Sequence, residues 1–314
     1  MPLLKLPAPN SYILHSIFCI LYSIFFTSCQ PPSKDPLPLD PVAYQDEIKS
    51  WHQQRIENLK GETGWLNLAG LFWLQEGINT FGSDPANTLV FPENKMVPRA
   101  GFFLVKNGVV SMNVRPEVEV VANGQHVREQ MIFHPDSTRN PTLTHGSLQW
   151  FVIKRDNQLG IRLRDLESPE VESFAGIERY PVDPTWRVQA QLKVPASPKQ
   201  IDITNVLGQT IPQHSPGTLE FELFGNTYEL DALLEGSELF IIFGDSTNAT
   251  ETYPAGRYLY AKLPEAEGYT ILDFNKAFNP PCAFTPYATC PLPPAQNVLP
   301  LAIRAGEKNY GYTH

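Results

Sequence analysis

GTLEFELFGNTYELDALL, residues 217–234, carries the clearest structural signal in the chain. Apolar and polar residues alternate along it, as they do in strands that turn one face to a core and the other to water. The pair Gly225-Asn226 interrupts the alternation and predicts a hairpin turn. The stretch that follows, SELFIIFGD at 237–245, is nearly continuous in apolar residues and is typical of a strand buried on both faces. Together they predict an antiparallel sheet.

Short runs of the same kind continue on both sides of this hairpin. The pairs Asn107-Gly108 and Asn123-Gly124 and the turn Arg155-Asp156-Asn157 predict further hairpins. Aromatic residues make up 11% of the chain, which favours a core rich in sheet. The predicted fold class is therefore mainly β, with an antiparallel barrel or sandwich-like core.

One helix is predicted ahead of the strands. Asp40 can cap its N-terminus, Pro41 suits the first helical position and Gly61 can end it. At the other end of the chain, from about residue 271, a long irregular segment is rich in proline. Its apolar and aromatic content argues against disorder, so we expect an ordered cover packed on the barrel.

The first 29 residues resemble an export signal. Lys5 precedes a short apolar run, and Thr27-Ser28 precede Cys29, as in the signal of a bacterial lipoprotein. The prediction is a lipoprotein signal peptide over 1–29 with lipidation at Cys29; the alternative is a plain N-terminal membrane anchor. Residues 30–41 form a proline-rich tether. Residues 42–314 are predicted to form a single globular β-rich domain.

The charge of the chain limits its partners. Lysine and arginine number 24 and aspartate and glutamate 33, a net charge of −9. Removal of the signal would take away only Lys5 and leave 23 − 33 = −10. Such a chain is not expected to bind nucleic acid. The expected partners are the lipid bilayer, through acylated Cys29, and a small-molecule ligand. We expect a lipid-anchored protein of the cell envelope, at the outer membrane because Gln30 follows Cys29. The sequence indicates no particular cofactor.

Standard catalytic signatures are absent from the sequence, including G-x-S-x-G, H-E-x-x-H, C-x-x-C and a phosphate loop. Polar residues instead concentrate between 240 and 310, where a buried strand ends and the irregular segment begins. The predicted catalytic carboxylates are Asp245, Asp273 and Glu307. The predicted ligand-binding residues are Thr247, Tyr253, Arg257, Asn275, Asn279, Tyr287 and Asn297. No metal ligands are assigned.

Two functions fit these residues. In the first, the carboxylates and Arg257 line a hydrolase-type or small-ligand pocket built from the C-terminal segment, with a carboxylate as general base and Arg257 binding an anionic group. In the second, the protein is a non-catalytic structural or partner-binding lipoprotein. The same residues then form a structural polar network, in which turn bonds satisfy Asp245 and an acid pairs with Arg257.

Three segments resemble the family called domain of unknown function 1684. They are GWLNLAGLFWLQEG, DSTNATETYPAGRYL and DFNKAFNPPCAFTPYATCPLPPAQNVLPLAIRAGEK, and the resemblance extends from about residue 55 to 310. It implies no established activity. One departure is Val298, where the family pattern leads us to expect arginine.

Cys282 and Cys290 are the two cysteines left after Cys19 in the apolar run and Cys29 at the lipidation site. In an exported protein they predict a disulfide. A metal or redox site and a pair of free thiols remain alternatives, although a metal would need three or four ligands.

Overall fold

The structure is a computed structural model that describes residues 39–264 and 268–311. The predicted signal peptide, Cys29 and nearly all of the tether lie outside the described residues. Within these ranges no helix combines the length and apolar content needed to cross a bilayer.

Helix α1, Pro41–Lys60, begins and ends where the sequence predicts. The side chain of Asp40 accepts a hydrogen bond from the backbone N–H of Val42 at 2.9 Å, and Gly61 follows the last turn. These contacts satisfy helix ends that would otherwise lack partners. The residues that α1 buries are Tyr44, Ile48 and Leu59. A second, short helix α2 spans Pro169–Ser173.

The strands of the described residues are, in chain order, β1 (Leu68–Trp73), β2 (Gly77–Gly82), β3 (Leu89–Val90), β4 (Gly101–Lys106), β5 (Val109–Val114), β6 (Val120–Ala122), β7 (Gln125–Val127), β8 (Glu129–Phe133), β9 (Leu143–His145), β10 (Leu148–Arg155), β11 (Gln158–Asp165), β12 (Arg187–Lys193), β13 (Lys199–Thr204), β14 (Thr210–Ser215), β15 (Gly217–Leu223), β16 (Asn226–Glu235), β17 (Glu238–Phe243), β18 (Arg257–Lys262) and β19 (Tyr269–Asp273).

The N-terminal half contains two sheets that share one core. Their strand orders are β1-β11-β10-β9-β6-β7 and β3-β2-β4-β5-β8. Phe81 of the second sheet stacks on Phe103 of the same sheet and also contacts Trp150 of the first, and all three are fully buried. Stacked aromatic side chains of this size contribute much of the apolar area that a β-sandwich removes from water.

The C-terminal half contains a two-stranded sheet of β13 and β14 and a six-stranded sheet, β18-β17-β16-β15-β12-β19, that nearly closes into a barrel. Its two edge strands approach each other, and Thr270 Oγ1 donates a 2.7 Å hydrogen bond to the carbonyl of Lys262. Phe221, Ile241 and Phe243 fill the interior. Together with the N-terminal sheets, this arrangement confirms the predicted mainly β, antiparallel fold class with one N-terminal helix.

The hairpin of β15 and β16 turns one residue earlier than predicted. Leu223 lies opposite Asn226, so the two turn residues are Phe224 and Gly225. Their φ angles are +50° and +75°, the left-handed pair that a tight two-residue hairpin requires. The pattern placed the turn at Gly225-Asn226 because phenylalanine rarely adopts a positive φ. The Asn107-Gly108 turn lies between β4 and β5 as predicted.

The C-terminal segment from residue 274 onward is irregular but well packed, which agrees with the expected ordered cover. It contains three short 3-10 helices, Phe274–Lys276, Pro281–Ala283 and Ala295–Asn297. Phe284 from this segment packs with Leu59 of α1 and Ile203 of β13 in a third buried cluster. The cluster brings α1 and the C-terminal segment together beside the barrel. The division into a single domain over 42–314 stays a prediction.

Candidate functional site

Asp245 and Arg257 form a fully buried ion pair, with Nη2 of Arg257 2.8 Å from Oδ2 of Asp245. The other carboxylate oxygen accepts hydrogen bonds from both the backbone N–H (2.8 Å) and the hydroxyl (2.6 Å) of Thr247. Arg257 also donates to the carbonyls of Ile303 and Ala305. The pair therefore ties the strands β17 and β18 to the C-terminal segment.

Asp273 and Asn275 join the barrel to α1. The hydroxyl of Tyr44 donates to Oδ1 of Asp273 at 2.8 Å, and Nδ2 of Asn275 donates to the same hydroxyl at 2.9 Å. Asn275 also exchanges hydrogen bonds with the backbone of Asp183. Burial raises the pKa of the Asp273 carboxyl above its ordinary value.

Glu307 is fully buried and receives two hydrogen bonds. Nε of Arg55 lies 3.2 Å from Oε1, and the backbone N–H of Asn279 donates to Oε2 at 2.7 Å. Burial raises the pKa of Glu307 above its ordinary value. The side chain of Asn279 donates to the carbonyl of Lys308 at 2.7 Å. Glu307 thus fixes the position of Arg55, which reaches a cleft described below.

Asn297 has a similar backbone-binding role. Its Oδ1 accepts from the N–H of Asp231 at 2.7 Å, and its Nδ2 donates to the carbonyls of Asp231 and Ile242. Tyr253 is buried, whereas Tyr287 is half-buried. Catalytic and ligand-binding roles for the predicted residues stay predictions, and the cleft described next is lined by other side chains.

A cleft of about 620 Å³ lies among the described residues. It is formed where α1, the end of β10, strand β11, strands β16 to β18 and the C-terminal segment meet. Its aromatic lining residues are Trp51, Trp65, Phe240, Tyr258, Tyr260 and Phe278. Its charged lining residues are Arg55, Arg155, Arg162 and Glu235. The C-terminal segment contributes Pro281, Ala288, Thr289, Cys290 and Pro291.

Arg162 is the unusual residue of this cleft. Its neighbours along β11, Ile161 and Leu163, belong to the N-terminal core, so Arg162 lies on the opposite face of the strand. It is only 5% exposed, and its guanidinium lies 5.5 Å from the ring centroid of Trp65. Nε and Nη2 are buried without a hydrogen-bond partner among the described residues. Buried polar groups without partners are rare in folded proteins, so this one needs an explanation.

Two further arginines share this face of the sheet. Arg164 is two residues from Arg162 on β11, and Arg155 lies opposite Gln158, which is four residues from Arg162 on the same strand. We call Arg155, Arg162 and Arg164 the arginine row. Arg155 donates from Nε to Thr289 Oγ1 at 3.0 Å. Arg164 donates to Asn67 Oδ1 at 2.6 Å and to the carbonyl of Gly64. Burial, followed by the charges of Arg155 and Arg164, lowers the pKa of Arg162 to about 10.

The other charged groups of the cleft are already engaged. The guanidinium of Arg55 lies 4.6 Å from the ring centroid of Phe278 and is held by Glu307. The hydroxyl of Tyr260 donates to Oε2 of Glu235 at 2.8 Å. Burial and Glu235 raise the pKa of Tyr260, which keeps its hydroxyl protonated and able to donate.

Cys282 and Cys290 are buried and lie at disulfide distance, with their Cα atoms 6.1 Å apart. Cys290 also lines the cleft, so the bridge would stiffen one of its walls. No group of three or more His, Cys, Asp or Glu side chains in the described part of the chain is placed to hold a metal ion.

The interpretation of the sequence missed the cleft, although one signal for it was present. In LGIRLRDL, residues 159–166, arginines alternate with Ile161 and Leu163 on a predicted strand. Since the apolar face of such a strand meets the core, both arginines must share the other face. The remaining lining residues come from distant parts of the chain, and no local pattern links them.

Three solved structures are similar to parts of the chain. The solution NMR structure of an uncharacterized protein from Haloarcula marismortui is 32% identical; the alignment covers 44% of this chain and 79% of that one, with a TM-score of 0.38. A phosphothreonine-dependent FHA domain is 14% identical over 30% of this chain and 92% of its own, with a TM-score of 0.22. Mycobacterium tuberculosis EmbR is 12% identical over 41% and 32%, with a TM-score of 0.18. These TM-scores are too low to support a structural argument.

No curated protein matches the chain. Residues 172–308 match the sequence profile of a family described as protein of unknown function, DUF1684. The match confirms the resemblance over a shorter range than the expected 55–310, and it includes the Asp245–Arg257 pair, Glu307 and the two cysteines. The chain belongs to the DUF1684 family.

Proposed function

We propose that this protein binds a small organic anion in the cleft, with the acidic group of the ligand against Arg162. The observation that carries the proposal is the buried guanidinium of Arg162, whose Nε and Nη2 have no partner among the described residues. Burying a charged group without a partner costs several kcal/mol unless a counter-ion is supplied. An anionic ligand would supply both the counter-charge and the missing hydrogen bonds.

The charge balance of the cleft supports an anion. Its lining contains three arginines and one glutamate, whereas the whole chain has a net charge of −9. A concave site of one charge sign concentrates oppositely charged ligands. The positive potential is thus local to this site in an otherwise acidic protein.

The remaining lining favours an apolar or aromatic body on the ligand. Trp65 stacks beside Arg162, and Trp51 and Phe278 are both only partly buried. A volume of about 620 Å³ lies within the range that small-molecule sites usually occupy. Rings of this kind bind flat apolar groups through burial and stacking.

We assign binding rather than catalysis to the cleft. The acid in its lining, Glu235, is exposed and already accepts a hydrogen bond from Tyr260. Asp245 and Glu307 are buried with hydrogen bonds to both carboxylate oxygens, and Asp273 is buried with two hydrogen bonds to Oδ1, which favours the structural polar network. The network would then hold the cleft walls in place, and the ligand would contact other residues.

Arg162→Met is expected to weaken the binding of phenyl phosphate, benzoate or benzenesulfonate at least about 10-fold, because charge-assisted hydrogen bonds contribute about 1.5–3 kcal/mol each. Methionine keeps an apolar stem beside Trp65 and removes the charge together with the N–H donors of the guanidinium. Isothermal titration calorimetry with these probes measures the effect. The matched control is Arg115→Met, an exposed arginine outside the cleft. Equal affinities in wild type and Arg162→Met, or no binding of any probe to the wild type, would sink the proposal.

We also propose that the protein is an exported lipoprotein of the cell envelope, anchored through acylated Cys29 and sorted to the outer membrane. The support is the sequence of residues 1–29 and Gln30 alone. When the full chain is expressed in a bacterial host, a clickable palmitate analogue is expected to label it, and Cys29→Ser is expected to abolish the label. Labelling that is absent, or that survives in Cys29→Ser, argues for a plain N-terminal anchor or another location.

A further inference from the structure

The arginine row carries more positive charge than the described residues neutralise. Arg55, Arg257 and Arg304 each lie within ion-pair distance of a carboxylate. By contrast, none of Arg155, Arg162 and Arg164 forms an ion pair with a described residue. The positive charges of these three guanidinium groups, which lie on one face of the β10–β11 pair, are therefore not neutralised by an ion pair with a described residue.

The three members of the row differ in what they can offer a ligand. Arg164 is committed to Asn67 and to a backbone carbonyl and lies outside the cleft lining, so it contributes charge rather than contact. Arg162 presents unpartnered donors. Arg155 lines the cleft, with its Nε held by Thr289, and its Nη2 forms no hydrogen bond with a described residue. Two guanidinium groups are thus placed to bind and a third strengthens the field.

A carboxylate carries one negative charge, and a phosphate monoester near neutral pH carries close to two, on three acceptor oxygens. Arg162, whose Nε and Nη2 have no partner among the described residues, can donate two parallel hydrogen bonds to phosphate oxygens. Arg155 can add one from Nη2, because its Nη1 already donates to the carbonyl of Lys154. We propose that the cleft selects phosphate monoesters in their dianionic form over carboxylates and other monoanions. This inference rests on the proposed anion-binding function and specifies the class of ligand.

The other charged groups of the cleft limit the ligand to one anionic group. Glu235, which accepts a hydrogen bond from Tyr260, adds a carboxylate to the lining, and the guanidinium of Arg55 is already paired with Glu307. A second phosphate would meet the carboxylate of Glu235 or an arginine that is already neutralised. The aromatic part of the lining suits the organic part of the ester. Inorganic phosphate, which lacks that part, is expected to bind more weakly.

Phenyl phosphate and phenyl sulfate form a matched pair of ligands, because both are tetrahedral esters of phenol and differ mainly in charge. At pH 7.5, isothermal titration calorimetry with the full-length protein is expected to show that phenyl phosphate binds at least about 10-fold more tightly than phenyl sulfate. The second ionisation of the phosphate lies near pH 6, so this preference should shrink about 10-fold at pH 5. The cleft lining in the described residues contains no histidine that would titrate in that range.

Arg155→Met should reduce the preference for phenyl phosphate over phenyl sulfate while sparing most of the sulfate binding, and Arg115→Met should change neither. Inorganic phosphate, titrated separately, distinguishes a site for the free ion from a site for its esters. Equal affinities for the two esters, both lost in Arg162→Met, would overturn the dianion inference and leave the anion-binding function standing. Binding that is indifferent to Arg162→Met would overturn both. Tighter binding of inorganic phosphate than of phenyl phosphate would overturn the assignment to esters.

Discussion

Asp245→Asn is expected to lower the free energy of unfolding by about 3–5 kcal/mol, because it leaves the guanidinium of Arg257 buried without its counter-charge. Both side chains of the pair are fully buried, so water cannot replace the lost carboxylate. Asparagine also replaces Oδ2 or Oδ1 by an N–H donor, which opposes the donors of Thr247 and Arg257. Urea unfolding at pH 7 measures the change.

Asp273→Asn is the matched control, since Asp273 is also a buried carboxyl but has no ion-pair partner among the described residues. One oxygen accepts from both Tyr44 and the backbone of Asn275, and the amide oxygen of asparagine can take over both bonds. Burial raises the pKa of Asp273 above the ordinary 3.8. The protonated Asp273 carboxyl therefore contributes fully to the free energy of unfolding below about pH 3.8. This contribution is lost as pH rises through the pKa of Asp273 in the folded protein.

Asp273→Asn should consequently be as stable as the wild type at pH 7, or more stable, and the difference should vanish as pH falls toward 3.8. Similar losses in Asp245→Asn and Asp273→Asn at pH 7 would show that the ion pair is not the cause. A folded Asp273→Asn protein that loses ligand binding would instead support the original catalytic or binding prediction for that residue.

Replacing both Cys282 and Cys290 by serine is expected to lower the free energy of unfolding by about 2–3 kcal/mol. This is the loop-entropy contribution of a disulfide between cysteines only eight residues apart. The same change should weaken binding of phenyl phosphate. The loop that contains the bridge forms a wall of the cleft, and Thr289 within it holds Nε of Arg155. Urea unfolding and calorimetry on the same double variant measure the two effects.

Reduction of the wild type with dithiothreitol under native conditions provides the control, because it opens the bridge without changing the sequence. Reduction should reproduce both effects, and the serine variant should not respond to it. Mass spectrometry that finds free thiols in the native, oxidised protein would contradict the disulfide, as would a serine variant of unchanged stability.

Local patterns predicted much of the fold. Alternation and Asn-Gly turns indicated the strands, and Asp40, Pro41 and Gly61 indicated the ends of α1. The pattern failed at Phe224, where the twist of the hairpin outweighs the preference of phenylalanine for a negative φ. Register of this kind depends on how two strands pair, and single residues do not encode it.

The candidate site was harder to predict, for a physical reason. Polar residues in an apolar segment need partners, and that rule is what drew attention to Asp245, Arg257 and Glu307. It does not say whether the partner is a ligand or another part of the chain, and here the partners are mostly backbone and one another. Arg162 stands out for the opposite reason, because its buried N–H groups lack a partner among the described residues. Only the three-dimensional packing reveals that absence.

The residues that match the family include one group of buried polar contacts and leave out another group of charged residues. The Asp245–Arg257 pair, the cysteines and Glu307 lie inside residues 172–308, whereas the whole arginine row lies before that range. A relative that shares only the matched portion would therefore keep these buried contacts and part of the cleft lining, but it would lack the arginine row. Two relatives could then share every one of these buried contacts and still differ in what they bind.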